Sequence, residues 1–275
     1  MKPVDPKGFF SRDYAPAVTV DPGEPVVFSA LNAGWYWEPE IREPAPEGAG
    51  HALFGPIEVR GAQAGGTLVV HVDEVSPRGW GVTHAPDVKL MWSLEGRTWV
   101  SERGSRVAAA PFLGVIGMPP PEPGEHSTGP PRRWGGNIDC KLLVAGTRLY
   151  LPVPVDGGLL LAGDGHGAQG DGEVSGTAIE CPVERARLRL EPSELELRSP
   201  IARVDGAWVT FGFHEDLDAA ADEALQTMLD LMKRDLGVDR NHATALASVT
   251  VDLSVTQVVN GAKGVHAVLR DDAIR

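Results

Sequence analysis

GPIEVRGAQAGGTLVVHVDEV, residues 55–75, reads as a strand, a glycine-rich turn and a second strand. The pattern follows from β-branched residues that favour extended backbone and a Gly cluster that breaks it. APAVTVDPGEPVVFSA (15–30) repeats it, with Pro-Gly as the turn. Further strands are predicted at 141–144, 147–153, 158–162, 174–180 and 186–191. The 33 Gly and 23 Pro fit many turns between short strands, since both residues break helix interiors. Residues 31–51, containing Trp, Glu and Pro, read as a loop. The stretch 107–137 has almost no periodicity, yet Phe112, Leu113, Val115, Ile116 and Trp134 argue that it packs.

The texture changes after residue 214. EDLDAAADEALQTMLDLMKRDL (215–236) carries Leu217, Ala221, Ala224, Met228, Leu231 and Leu236 near helical spacing. Acids come early, Lys233 and Arg234 late, and Gly237 follows. A shorter helix is predicted at 240–247, then strands over 249–255 and 264–270. The expected fold is mainly β, a sandwich- or barrel-like body, with an α+β C-terminal portion. A soft boundary divides 1–195 from 196–275, and the two could also form one integrated domain.

Net charge is −13, from 25 Lys and Arg against 38 Asp and Glu. Such a surface repels phosphate backbones and anionic headgroups, so nucleic acid and membrane are poor partners and small neutral molecules better ones. No run approaches the roughly 20 apolar residues that span a bilayer, and MKPVDPKGFF lacks the apolar stretch of a signal peptide. With two cysteines, expected to stay reduced, the chain reads as cytoplasmic.

The densest chemistry lies in LLLAGDGHGAQGDGEV (159–174), where Asp164, His166, Asp171 and Glu173 are separated almost entirely by Gly. Glycine permits the sharp backbone turns that bring several side chains to one point, and carboxylates with imidazole are ligands for zinc and other divalent ions. The alternative is a polar turn whose acids face water. Residues 165–170 spell G-x-G-x-x-G, but that dinucleotide fingerprint needs a following helix, and 173–180 reads as a strand. An EF-hand fails because its third ligand position would be Ala168.

In PRRWGGNIDCKLL (131–143), Asp139 follows a Gly-Gly kink, a position suited to aiming a carboxylate into a cleft. Cys140 and Lys141, adjacent on a predicted strand, face opposite ways and so do not share a site. In HVDEV (71–75), His71 and Asp73 share one strand face, a geometry as common for ligand pairs as for solvated surfaces.

Together these segments resemble the acetamidase/formamidase family. The likeness is carried by GPIEVRGAQAGGTLVVHV (55–72), PFLGVIGMPPP (111–121), GGNIDCKLLVAGTRLYLPV (135–153) and GDGHGAQGDGEVSGTAIE (163–180). NAGWYWEPEIREPAPEGAG (32–50) has no good counterpart and is expected to reshape a pocket or an interface. The resemblance implies hydrolysis of short amides to ammonia and a carboxylate, a β-rich fold, a bound divalent metal and a homo-oligomer, taken as a dimer. Its polar motif positions fall on Asp139, Asp164, His166, Gln169 and Glu173.

On this basis Asp139, Asp164 and His166 are expected to hold the metal, with His71 or Asp73 as an additional ligand. Zinc is the first expectation, Ca²⁺ or another divalent ion the alternative. Glu173 is expected to carry the proton and Gln169 or loop N–H groups to bind the oxyanion. Two other classes stay open: an amidase with Cys140 or Ser127 as nucleophile, and a non-catalytic metal-dependent binding protein.

Overall fold

The computed structural model describes residues 2–3 and 5–274. Two β-sheets face one another. Val18–Val20, Leu53–Val59, Leu160–His166, Phe112–Gly117 and Gly135–Asn137 form a five-stranded sheet in that order. The eight-stranded sheet runs Val251–Gln257, Lys263–Arg270, Ala207–His214, Ile201–Val204, Arg148–Pro152, Thr67–Pro77, Val183–Ser193, Pro25–Ala30. Its strands come from both sides of residue 195. The mainly β class with a helical C-terminal portion is as expected.

Strand periodicity explains the layering. Along Thr67–Pro77, Leu68, Val70 and Val72 enter the core between the sheets, whereas Val69 enters the cluster beneath the helices. Leu149 and Leu151 likewise take one face and Tyr150 the other. A sheet buried on both faces needs apolar side chains at odd and even positions, and these segments supply them.

The layer on the second face is helix α1, Leu217–Leu236, with α2, Arg240–Thr250. Asp216 caps α1 by accepting from the Ala219 N–H, and Gly237 ends it in the left-handed conformation. Ala220, Ala224, Met228 and Met232 form its buried stripe.

The strands on either side of the turns at 21–24 and 60–66 do not pair with each other. Val18–Val20 and Leu53–Val59 join the five-stranded sheet, while Pro25–Ala30 and Thr67–Pro77 join the eight-stranded one. Each turn carries the chain from one layer to the other, and local turn chemistry does not distinguish that from a hairpin. The predicted strands at 141–144 and 174–180 are irregular, mostly turns and bends, with isolated bridges at Val144 and Glu180. Residues 80–108 form an antiparallel meander of four strands, Trp80–Ala85, Val88–Glu95, Thr98–Ser101 and Arg106–Ala108. Within the expected loop 31–51, Tyr36–Glu38 pairs with Ile41–Arg42. Among the described residues no helix is long and apolar enough to cross a membrane.

Candidate active site

The strand Leu160–His166 ends in Asp164-Gly165-His166, and its neighbours complete a buried acidic cluster. Asp139 follows the edge strand Gly135–Asn137, Glu173 stands on the glycine-rich turn, and Glu180 bridges to His166 in an isolated β-bridge. Asp139, Asp164, His166, Glu173 and Glu180 are all buried. They line one cavity of about 450 Å³.

Gly114 makes the convergence possible. A Cβ there would lie 2.6 Å from Asp139 Oδ1, 2.6 Å from Asp164 Oδ2 and 2.8 Å from His166 Cε1. Any side chain would occupy the space where the polar groups meet. The backbone is also forced: Asp139, Asp164 and Glu173 have φ of 52°, 58° and 44°. Residues other than Gly rarely adopt this left-handed region, and such strain persists where the surrounding structure imposes it.

His166 is the hub. Its Nε2 lies 3.3 Å from Asp164 Oδ2 and 3.4 Å from Glu180 Oε1, and its Nδ1 lies 3.8 Å from Asp139 Oδ1. Phe112 packs edge-on against the ring. Nδ1 meets Gln169 Oε1 at 2.9 Å, while Gln169 Nε2 donates to the Asp139 carbonyl at 2.7 Å. With the amide nitrogen so committed, Gln169 presents an acceptor to the imidazole. Nδ1 therefore carries a proton, and Nε2 faces Asp164 and Glu180, as a donor while the ring is protonated and as a lone pair when a cation takes that proton's place.

The electrostatics demand positive charge. Four buried carboxylates surround one imidazole, and burying like charges without compensation is costly. Burial pushes Asp139 well above the usual carboxylate range and raises Glu173 to about 7. Against the cost of its own burial, the Glu180 and Asp164 carboxylates raise His166 well above the ordinary imidazole value. Burial also acts against Asp164, but nearby His166 and His51 hold it below the usual range. Asp139 Oδ1, Asp164 Oδ1 and Glu180 Oε2 are buried without a hydrogen-bond partner, and groups of this kind call for an ion or water. Asp164, His166 and Glu180 present ligand atoms within 4.8 Å of one another, as do Asp139, His166 and Glu173. The donor set fits a divalent cation.

The remaining sequence-predicted site residues lie elsewhere. His71 and Asp73 do share a strand face, as the periodicity requires. That face points away from the inter-sheet core, and both residues pair with the neighbouring strand: His71 with Glu191 at 2.8 Å, Asp73 with Arg189 at 2.7 and 2.9 Å. The structure does not bring them to the cluster. Asp171 pairs with Lys141 at 2.8 Å. Cys140 is buried in the core, its thiol pushed up to about 12 by desolvation. Ser127 is exposed and accepts from the Gly129 N–H.

Residues that the sequence reading did not single out join the site. Glu180 supplies a fourth carboxylate. His51 Nε2 approaches Asp164 Oδ2 at 3.9 Å while its Nδ1 contacts Thr128 Oγ1 at 2.8 Å. Asn260, from the loop before the last strand, donates from Nδ2 to Asp139 Oδ2 at 2.5 Å. Glu180 ends the family-like block 163–180, and Asn260 lies in a motif-like VVNG, which were the only sequence signals for them.

Residues 123–191 match the model of the acetamidase/formamidase family. The chain is 26% identical over 199 residues to an acetamidase of Mycolicibacterium smegmatis, covering 46% of this chain and 49% of that protein. It is 28% identical over 192 residues to a formamidase of Methylophilus methylotrophus, covering 46% and 47%. The chain spans about half the length of these curated relatives. A solved acetamidase structure from Bacillus halodurans superimposes with a TM-score of 0.87 at 29% identity, covering 97% of this chain and 95% of that one.

Proposed function

We propose that this chain, which is similar to acetamidases and formamidases, hydrolyses a linear carboxamide to ammonia and a carboxylate with the help of a divalent metal ion. The observation that carries the metal reading is the buried cluster itself: Asp139 Oδ1, Asp164 Oδ1 and Glu180 Oε2 are buried without partners, and His166 Nε2 faces Asp164 and Glu180 beside them. Asp164, His166 and Glu180 would hold the ion, with Asp139 beside them. One imidazole among carboxylates suits zinc or another first-row ion better than Ca²⁺, which prefers an all-oxygen shell. When bound, such an ion polarises the amide carbonyl and lowers the pKa of water toward about 7.

The chain's own residues supply the proton chemistry. Burial raises the Glu173 carboxyl to about 7, so it can take a proton from the attacking water and return it to the amide nitrogen. The products are then a carboxylate and ammonia, with no covalent intermediate. Gln169, engaged at both ends, acts as a positioning residue for His166. His51, at the cavity wall near Asp164, is placed to hydrogen-bond the substrate.

Burial of both free cysteines fits a reducing, cytoplasmic setting. Exposed Val249, Leu253, Val258 and Val259 in the C-terminal portion suit a homodimer contact. Ammonia release from formamide, acetamide, propionamide and butyramide, with and without chelator, tests the proposal alongside elemental analysis. Full turnover after exhaustive chelation would remove the metal, and no ammonia from any amide would remove the activity.

A further inference from the structure

The cavity above the acids is far larger than formamide or acetamide needs. One water occupies roughly 30 Å³ in the liquid, so a four-atom amide takes up on the order of 120 Å³. The cavity measures about 450 Å³, in the range of pockets that hold ligands many times that size. The buried acids line only part of it. Trp35 and Tyr36, and Trp80, Val82 and Met91 from the meander, line it as well.

The cavity is also lined by the polar side chains of Glu40, Arg42, His84, Lys89 and Thr177, so its apolar surface is the patch made by Trp35, Tyr36, Trp80, Val82 and Met91. The Trp35 indole N–H donates to the Gly50 carbonyl at 2.7 Å, and the Trp80 indole N–H to the Trp37 carbonyl at 3.1 Å. The Tyr36 main-chain N–H donates to Asn32 Oδ1 at 2.9 Å. With both indole N–H groups engaged within the protein, the two indoles have only ring faces and edges left for a ligand. Trp35 is fixed in place, fully buried with φ of 69°. The apolar patch comes from the small hairpin in 31–51 and from the meander, neither of which supplies any of the five groups of the acidic cluster.

Resting on the amidase reading, we infer that the preferred substrate is a carboxamide with an apolar acyl group about the size of a six-carbon chain or a phenyl ring. The amide sits at the acids and the acyl group fills the chamber between Tyr36, Trp80 and Met91. Burying each added methylene raises kcat/KM about fourfold, on the order of a hundredfold for hexanamide over acetamide.

The test measures ammonia release from formamide, acetamide, hexanamide and phenylacetamide by the metal-loaded protein, its Met91→Asp variant and its Tyr36→Ala variant. The expected result is a preference for hexanamide and phenylacetamide, and a hexanamide-to-acetamide ratio at least tenfold lower in either variant, mainly through KM. Because the ratio is taken within one preparation, partial misfolding of a variant cancels. If formamide or acetamide is preferred by the parent protein, or the ratio is unchanged in both variants, the chamber inference fails and the amidase reading stands. Absence of ammonia from all four amides overturns both.

Discussion

Asn260 donates a hydrogen bond from Nδ2 to Oδ2 of Asp139 at 2.5 Å, joining residues 121 positions apart. The other Asp139 oxygen, Oδ1, has no partner and lies 3.8 Å from His166 Nδ1. Asn260 therefore fixes which oxygen of Asp139 is free to meet a cation. Outer contacts of this kind, when removed, typically cost 10–100-fold in metal affinity or activity. Asn260→Ala is expected to weaken zinc binding by about that factor, measured by competition with a chromophoric chelator. Unchanged affinity would assign Asn260 to loop structure alone.

Gln169→Ala removes the acceptor that keeps the His166 proton on Nδ1. The imidazole is then free to turn Nε2–H toward Asp164 and Glu180, which opposes metal binding. Weaker zinc binding by about 10–100-fold is expected. Gln169→Glu, which keeps an acceptor at Oε1, should retain more affinity than the alanine variant. Equal loss in both would argue against tautomer control.

Metal removal should be visible in stability as well as in rate. At 100 times Kd a ligand that binds only the folded state contributes about 2.7 kcal/mol. In a chain of this size that corresponds to a rise in Tm of roughly 5–10 °C. Differential scanning calorimetry of chelated protein with and without added Zn²⁺ measures it. Gly114→Ala, whose Cβ would stand among the ligand oxygens, should abolish the metal-dependent rise.

The pH dependence follows from Glu173, which burial raises to about 7. A base must be ionised, so its activity is present above that value and lost as the pH falls through it. A bound cation favours the carboxylate, so the acidic limb of kcat/KM is expected at or below pH 7. Glu173→Gln should lower kcat by about 10²–10⁴-fold and flatten this limb. A limb that persists in the variant would belong to another group.

Asp73 provides a contrast. Its hydrogen bonds and ion pair with Arg189 lower its pKa. The stability from this pair is thus present above the ordinary carboxylate value and lost as the pH falls through the lowered one. For a pair this accessible the contribution is below about 1 kcal/mol. Asp73→Asn should leave zinc affinity and turnover intact. A loss of metal binding would return Asp73 to the site.

The sequence by itself determined the mainly β class, the capped helix α1 and the density of acids between glycines at 163–173. Each of these is written in local signals: strand and helix periodicity, a cap residue, and glycines that leave room. Tertiary structure decided which side chains meet. The period of two shows that His71 and Asp73 share a face, but not whether that face looks into the core or at the Arg189 and Glu191 side chains of the next strand. Likewise, the turns at 21–24 and 60–66 look like hairpin turns until the chain's partners are known. Glu180, His51 and Asn260 carry no local mark of their role, because a buried carboxylate, imidazole or amide is defined by what lies across the cavity. Only the convergence of Asp139, Asp164 and His166 around Gly114, with Glu173 and Glu180 in the same cavity, turns an acidic glycine loop into a candidate cation site.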